Sequence, residues 1–395
     1  MEVYLDNSAT TKVTEGVRDI MARVLYEDYG NPSSMHRLGL KAEQYMKDAA
    51  SVIAGSLKVE PKEILFTSGG TEANNLALIG AAAANRRRGS HIITTRIEHP
   101  SVHQPLVHLE ENGFEVSFAP VDASGRLIKE KLYEMIKEDT LIVSIMYVNN
   151  EIGAVQDIEE LAKELKARKK DLIFHVDAVQ AFGKYRIFPK RMGIDLLTFS
   201  GHKIHGPKGI GVLYVSDGVK LNPTMFGGGH QRNLRSGTEN VPAIAGLGQA
   251  VSELYLDFEE KIDRQYSLKQ SFLREISRLE DVTINGLPAE CTDAFELEQL
   301  IKTAPHIMNV SFRGVRSEVF LHALEDRGIY VSAGSACSSH HPTPSVTLTA
   351  IGLPKELMDS TLRISMSDRT TKEEIAYTVE QMKQLLPVLR RYTRR

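Results

Sequence analysis

The sequence predicts a doubly wound α/β fold with a smaller α+β domain attached, on three observations. Short apolar segments alternate with amphipathic ones from about residue 60 to 215. Several of the apolar segments are unbroken rather than alternating, as strands covered on both faces are. The stretches between them repeat apolar residues at spacings of three and four, and strand–helix–strand alternation implies parallel pairing.

Taken in order, the strands fall at 64–67, 91–95, 116–120, 141–148, 172–176, 196–199 and 211–215. Among the connecting segments, 158–169 places Ile158, Leu161 and Leu165 on one face with charges between them. A long amphipathic helix follows, its apolar face drawn by Phe258, Ile262, Tyr266, Phe272, Leu273, Ile276 and Leu279. It stops before Asn285, Gly286, Leu287 and Pro288, a strong turn signal. Beyond it the elements are shorter and mixed: strand 306–312, helix 317–327, strand 330–332, strand 362–366 and a closing helix from Lys372. This change places a boundary near residue 260. We divide the chain into a large domain, 15–260, and a smaller one formed by 1–14 with 261–395.

Composition narrows the class. A chain of 395 residues buries most of its apolar surface without staples and has room for two to three domains. Its 42 % apolar and 25 % charged residues are the ordinary globular mix. A net charge of −3 leaves no electrostatic footprint for nucleic acid as the main partner. Two cysteines, Cys291 and Cys337, are too few for a disulfide framework, so a reducing, cytoplasmic setting is expected. The start carries Glu2 and Asp6 and no basic segment, unlike a signal peptide. The apolar runs at 76–84 and 141–148 fall well short of the ~18 residues of a spanning helix. Two basic clusters, Arg86 to Arg88 and Arg390, Arg391, Arg394 and Arg395, read as solvated ends.

Three motifs carry chemistry. Thr67 to Asn75 follows a strand and opens a helix, with Gly69 and Gly70 paired in the turn. Backbone N–H groups there can close on an anion such as a phosphate, although paired glycines also mark ordinary tight turns. The glycine spacing is neither the dinucleotide fingerprint nor the Walker pattern. Asp177 stands at the carboxyl end of a buried strand, where open α/β sheets bind ligands and where an acid needs a cation or donors; capping the next helix is its ordinary alternative. Lys203 comes just after a strand, between His202 and His205 and among glycines. A lysine in such a pocket can act as a nucleophile. A phosphate turn, a strand-end carboxylate and a lysine, in that order within one α/β domain, are the parts a pyridoxal phosphate site needs.

The chain resembles the cysteine desulfurases of the iron–sulfur-cluster and nitrogen-fixation type, within the class V aminotransferase superfamily. The likeness runs over nearly the whole chain, through residues 4–11, 30–36, 67–75, 98–99, 148–153, 175–180, 200–209, 235–240, 334–339 and 362–365. It implies the fold type I architecture of pyridoxal-phosphate-dependent transferases, a homodimer, L-cysteine as substrate and a sulfur-acceptor protein as partner. By the resemblance, Lys203 holds the cofactor and moves the substrate α-proton. Asp177 pairs with the pyridine nitrogen, Gln180 and Asn150 hydrogen-bond the ring oxygen, and His99 stacks on the ring and shuttles protons. Gly70, Thr71, Ser200 and His202 bind the phosphate, with Thr238 reaching over from the second subunit. Arg363 clamps the substrate carboxylate, a planar two-pronged task suited to a guanidinium. Asn7, Ala9 and Thr10 line the cleft.

Cys337 decides the chemistry. It sits among small and polar residues, a composition expected of a mobile loop, while Cys291 takes the ordinary reading of a small buried hydrophobe. The resemblance implies that the Cys337 thiolate attacks the sulfur of bound cysteine, giving alanine and a persulfide. The loop departs from its family in carrying His340, His341 and two prolines. Adjacent histidines rarely share one ion, so no metal site is expected, and a neighbouring histidine can lower a thiol pKa. A selenocysteine lyase or β-elimination enzyme on the same scaffold and a non-catalytic cofactor-binding platform are the other readings. Keeping Lys203, Asp177, Cys337 and Arg363 together disfavours the platform.

Overall fold

A computed structural model describes residues 1–291, 294–333 and 344–393. Cys337, His340 and His341 lie outside the described residues, as do Arg394 and Arg395. In chain order the strands are β1 (Val3–Tyr4), β2 (Ile64–Thr67), β3 (His91–Thr95), β4 (Glu115–Ala119), β5 (Thr140–Met146), β6 (Ile173–Asp177), β7 (Leu196–Ser200), β8 (Gly211–Val215), β9 (Val282–Asn285), β10 (Ile307–Phe312), β11 (Ile329–Tyr330), β12 (Ser332–Ala333) and β13 (Thr361–Ser365).

Strands β2 to β8 form one sheet in the order β2-β8-β7-β6-β5-β3-β4. Neighbouring residues of one strand enter different cores, as a period of two requires. Phe66, Ile93, Val143, Phe174, Leu197 and Val212 pack on one face, against helices 37–57, 158–168 and 241–254. Leu65, Ile92, Ile142, Ile173, Leu196 and Leu213 pack on the other, against 70–85 and 100–111. Both faces are therefore covered, which explains the unbroken apolar runs.

All neighbours pair in parallel except β8, which runs antiparallel to β7 and β2. The sheet is thus mainly parallel, as expected, with β8 the one exception to the strand–helix–strand pattern. The connection from β7 to β8 is only residues 201–210, with a single 3₁₀ turn at Gly201–Lys203. A parallel crossover needs a dozen or more residues and a helix.

A second core joins Val3 and Leu5 to helices Phe258–Ile276, Ser317–Glu325 and Lys372–Thr393, over the antiparallel sheet β12-β13-β10-β9. The expected strand at 330–332 is two strands in different sheets: β11 pairs with β1, and β12 with β13. Helix Val241–Leu254, absent from the sequence reading, is buried almost all round, so it has no amphipathic period to read. The basic clusters have local work: Arg86 donates to the Asn112 carbonyl, Arg88 pairs with Asp171, and Arg390 donates to the carbonyls of Arg313 and Glu280. Among the described residues no helix is long and apolar enough to cross a membrane.

Helix Phe258–Ile276 brings Lys269 into this second core, 1 % exposed. Its Nζ donates to Thr303 Oγ1 at 2.7 Å and to the carbonyls of Ala304 at 2.7 Å and Ile307 at 3.0 Å. Burial pushes the ammonium down to about 7. The folded protein thus binds fewer protons than the unfolded chain between about pH 7 and the free-lysine value of ~10.4. Stability from this group is complete above that window, falls by ~1.4 kcal/mol per pH unit as pH drops through it, and is fully lost below about 7. Urea titrations of the parent and Lys269→Met should show this slope in the parent alone. Equal slopes would remove the effect.

Candidate active site

One sheet edge collects the chemistry. Strands β2, β3, β5, β6 and β7 all end there, and β8, running the other way, begins there. A Cβ on Gly211 would lie 2.6 Å from the Gly69 carbonyl carbon, so only glycine lets β8 come this close to the turn. A Cβ on Gly70 would meet Val179 Cγ2 at 2.9 Å and come within 3.8 Å of Ser200 Cβ. Gly70 thus borders a cradle that also takes in Ser200; Thr71, next in the chain, is exposed. From Gly70 the helix continues to Asn85 through a π-helical segment, Leu76–Gly80.

Asp177 is buried at the end of β6. Its Oδ1 accepts from the Val179 N–H at 2.9 Å, as a capping aspartate would. Its Oδ2 accepts from Asn74 Nδ2 at 2.8 Å, and the same Nδ2 lies 2.9 Å from Ser101 Oγ. Asn74 was not picked out by sequence reasoning. Its signal was its place on the helix opened by the glycine turn, one turn in from the cradle.

Lys203 Nζ donates to the Ala9 carbonyl at 2.8 Å and to the Ser8 carbonyl. The segment 7–10 therefore lies beside Lys203, drawn in by the Asp6–Ser365 bridge and by Asn7 Nδ2 on the Ser365 carbonyl. Gln180 Nε2 donates to the Ser8 carbonyl at 3.0 Å, and Gln180 Oε1 lies 3.3 Å from His306 Nε2.

His99 caps helix Pro100–Glu111, its Nδ1 accepting from the Ser101 N–H at 3.1 Å. The residue is exposed, yet it stands in a concavity where displaced water and the Lys203 charge depress its pKa while Asp177 raises it. Burial, Lys203, Lys208 and His99 push His202 down to about 4, so both rings are neutral near pH 7. Glu98 is buried beside them. Burial and the nearby Asp177 raise its carboxyl to about 8, against donors from the Met146 N–H and Thr95 Oγ1.

Arg363 enters from β13. Its Nη1 donates to the Asn150 carbonyl at 3.0 Å, and its Nη2 to Asp6 Oδ1 at 3.0 Å and Ser332 Oγ at 3.1 Å. Its buried Nε has no hydrogen-bond partner among the described residues, nor do Ser8 Oγ, Thr10 Oγ1 and Asn74 Oδ1. Four buried polar atoms left open around one cleft is the pattern of a site built for a polar guest. Asp6 and Ser332 were not singled out from the sequence. Beside Asn150, Asn149 shapes the turn, its Oδ1 accepting from the N–H groups of Glu151 and Ile152. Thr238 is exposed, three residues after Arg235, whose guanidinium grips Glu72 in the glycine turn at 2.8 Å.

An α/β sheet with a lysine, a strand-end carboxylate and a glycine-bordered cradle at one edge fits the fold type I transferases. The chain belongs to the class V aminotransferase family, whose profile matches residues 3–377. Among its curated relatives, the cysteine desulfurase IscS of Dictyoglomus turgidum is 40 % identical over 390 residues, covering 98 % of this chain and 95 % of that protein. The cysteine desulfurase IscS of Vibrio atlanticus is 42 % identical over 395 residues, covering 99 % and 94 %. Among solved structures, a NifS-like protein superposes with a TM-score of 0.90 at 35 % identity, covering 98 % of this chain and all of that one. SspA in complex with cysteine does so with a TM-score of 0.79 at 35 % identity, covering 93 % and 100 %.

Proposed function

We propose that the chain is a pyridoxal-phosphate-dependent cysteine desulfurase, converting L-cysteine to L-alanine and delivering the sulfur for iron–sulfur cluster assembly or for tRNA or cofactor thiolation. The observation that carries this reading is the convergence of Lys203, Asp177 and Arg363 on one cleft, in a chain about 40 % identical to cysteine desulfurases over its length. The cofactor fits the donor set. An amine is aimed by two carbonyls, and a carboxylate is held by two donors. A cradle that a Cβ at Gly70 would fill suits a phosphate held by Thr71, Ser200 and His202. The open face of His99 suits a planar ring.

When bound, the cofactor draws electrons away from the substrate α-carbon. The residues do the rest. Lys203 anchors the cofactor and moves the α-proton. Asp177, fixed by Asn74, would hold a proton on the ring nitrogen. Gln180 and Asn150 would hydrogen-bond the ring oxygen. Arg363 orients the substrate carboxylate through N–H groups not already given to Asp6, Ser332 and Asn150. The Cys337 thiolate forms a bond to the substrate sulfur as the carbon–sulfur bond breaks. The products are alanine and a Cys337 persulfide, which an acceptor protein receives.

The two cores support the division into 15–260 and 1–14 with 261–395. A homodimer agrees with the exposure of Tyr26, Tyr29, Phe226 and Met35, the last 98 % exposed, and would bring a partner's Thr238 to the phosphate cradle. A reducing cytoplasm would keep the Cys337 thiol free.

Purified protein given pyridoxal phosphate, L-cysteine and a reductant should release alanine and sulfide in equal amounts. Pyruvate in place of alanine would replace this reading with β-elimination. Asn74→Ala should lower kcat about tenfold and speed loss of cofactor on dialysis, since a hydrogen bond to a charged group contributes roughly 1.5–3 kcal/mol. Parent-like kcat and retention in Asn74→Ala would show that Asp177 does not depend on it.

A further inference from the structure

Two residues past Lys203, His205 takes a left-handed backbone, φ +61°, which a residue with a Cβ adopts only when its surroundings hold it there. Those surroundings are specific. The His205 N–H donates to Thr11 Oγ1 at 2.8 Å, and its carbonyl accepts from the Thr14 N–H at 3.3 Å. Its buried ring lies between two oxygens: Nδ1 is 2.7 Å from the Lys12 carbonyl and Nε2 is 3.0 Å from Asp368 Oδ1. Neither Nε2 nor Asp368 Oδ1 completes a hydrogen bond to any described residue, so the two face each other at contact distance without an aligned hydrogen bond.

Asp368 lies just beyond β13, five residues after Arg363, and faces several cations. Lys261 Nζ is 3.8 Å from its Oδ2, Arg264 donates to its carbonyl, and the charge of buried Lys184 reaches it. Burial pushes the Asp368 carboxyl up, but His205, Lys184 and Lys261 outweigh it and hold the group well below the usual carboxylate range. A half-buried acidic side chain from the segment after Arg363 thus meets the loop that carries Lys203.

We propose that His205 and Asp368 are a positioning pair that sets Lys203 against Arg363, so that the substrate α-carbon comes within reach of the lysine while its carboxylate is held. The proposal rests on the desulfurase reading, because it assumes that both residues act on one substrate. His205 touches neither substrate nor cofactor; it acts through the backbone of residues 201–206, where the Gly206 and Ile204 N–H groups close back on the Gly201 carbonyl.

The test compares the cofactor-loaded parent with His205→Phe, His205→Gly, His205→Gln, Asp368→Ala and the His205→Phe/Asp368→Ala double variant. Phe, Gly and Ala variants should lose ~10–100-fold in kcat/KM for L-cysteine, because small misplacements cost that much. Most of the loss should fall in kcat, since the carboxylate contact survives. The double variant should be no worse than about twofold beyond the worse single, as for residues acting as a unit. Gln, which can still donate to Asp368, should recover part of the loss. Amide hydrogen exchange across 201–209, measured without cofactor, should quicken in the Phe, Gly and Ala variants.

His205→Gly at the parent rate would overturn the proposal, since glycine relieves the backbone strain and removes the ring. Losses that multiply in the double variant would also overturn it. If the parent makes no alanine, the desulfurase reading fails, and the exchange data judge the contact alone: unchanged exchange across 201–209 refutes the pair. If Asp368→Ala does not fold, the Gly and Gln variants decide between the same outcomes.

Discussion

Lys203→Ala is expected to lower alanine formation about a thousandfold or more, combining loss of general acid–base help with loss of the covalent anchor. The structure explains why no neighbour can take over. The carbonyls of Ser8 and Ala9 aim Nζ into the cleft, and their residues are held by Asn7 on Ser365 and by the Asp6 bridge. Lys208, the nearest lysine in sequence, is turned to the Thr11 carbonyl at 3.1 Å. Two measurements check the assignment. Borohydride treatment of the loaded parent, followed by peptide mapping, should mark Lys203, and in Lys203→Ala no peptide should be marked. Gel filtration should strip the cofactor from the variant but not from the parent. A mark on another lysine in the parent would sink the assignment.

The sheet was legible because its strands are covered on both faces and carry unbroken apolar runs. In the fold the consecutive residues Ile92 and Ile93, or Leu196 and Leu197, enter opposite cores, so the unbroken runs mark the strands but leave their register to the fold. Strand β8 was legible as a strand but not in its direction, which is set by the length of the connection from Ser200 to Gly211 rather than by its own residues. Helix Val241–Leu254 was missed because burial on all sides erases amphipathic spacing. Within the site, residues that stand out by type could be named: the glycine turn, Asp177 at a strand end, Lys203 among glycines. Residues that act by holding others could not. Asn74, Asp6 and Ser332 are ordinary polar residues in sequence, and only the fold brings Asn74 to Asp177 or Asp6 and Ser332 to Arg363. His205 was visible beside Lys203, but its partner, Asp368, is distant in the chain and only the fold brings them together. Cys291, expected to be buried, is half-exposed next to Glu290, and burial with that neighbouring charge raises its thiol pKa.

Cys337→Ala is the second large effect: alanine formation should fall at least about a thousandfold while the cofactor band stays at parent strength. The described chain stops at Ala333, in a strand whose register sets Ser332 opposite Arg363, and resumes at Pro344. Ser345 there caps helix Val346–Ala350 and donates to Glu151, next to Asn150. The described residues on either side of that segment therefore lie beside the cleft, near Arg363, the residue proposed to orient the substrate carboxylate. The substrate sulfur extends from the α-carbon, so a nucleophile must come from outside the cofactor cradle, and Cys291 cannot serve because it stands over the second core by Lys269 and Glu290. Cys291→Ser should therefore turn over at the parent rate. With ³⁵S-labelled cysteine and no reductant, label should stay on the parent and on Cys291→Ser and be released on adding thiol, and Cys337→Ala should hold none. Alanine formed by Cys337→Ala at the parent rate would mean that sulfur leaves without a protein carrier, the behaviour of a lyase on this scaffold rather than of a desulfurase.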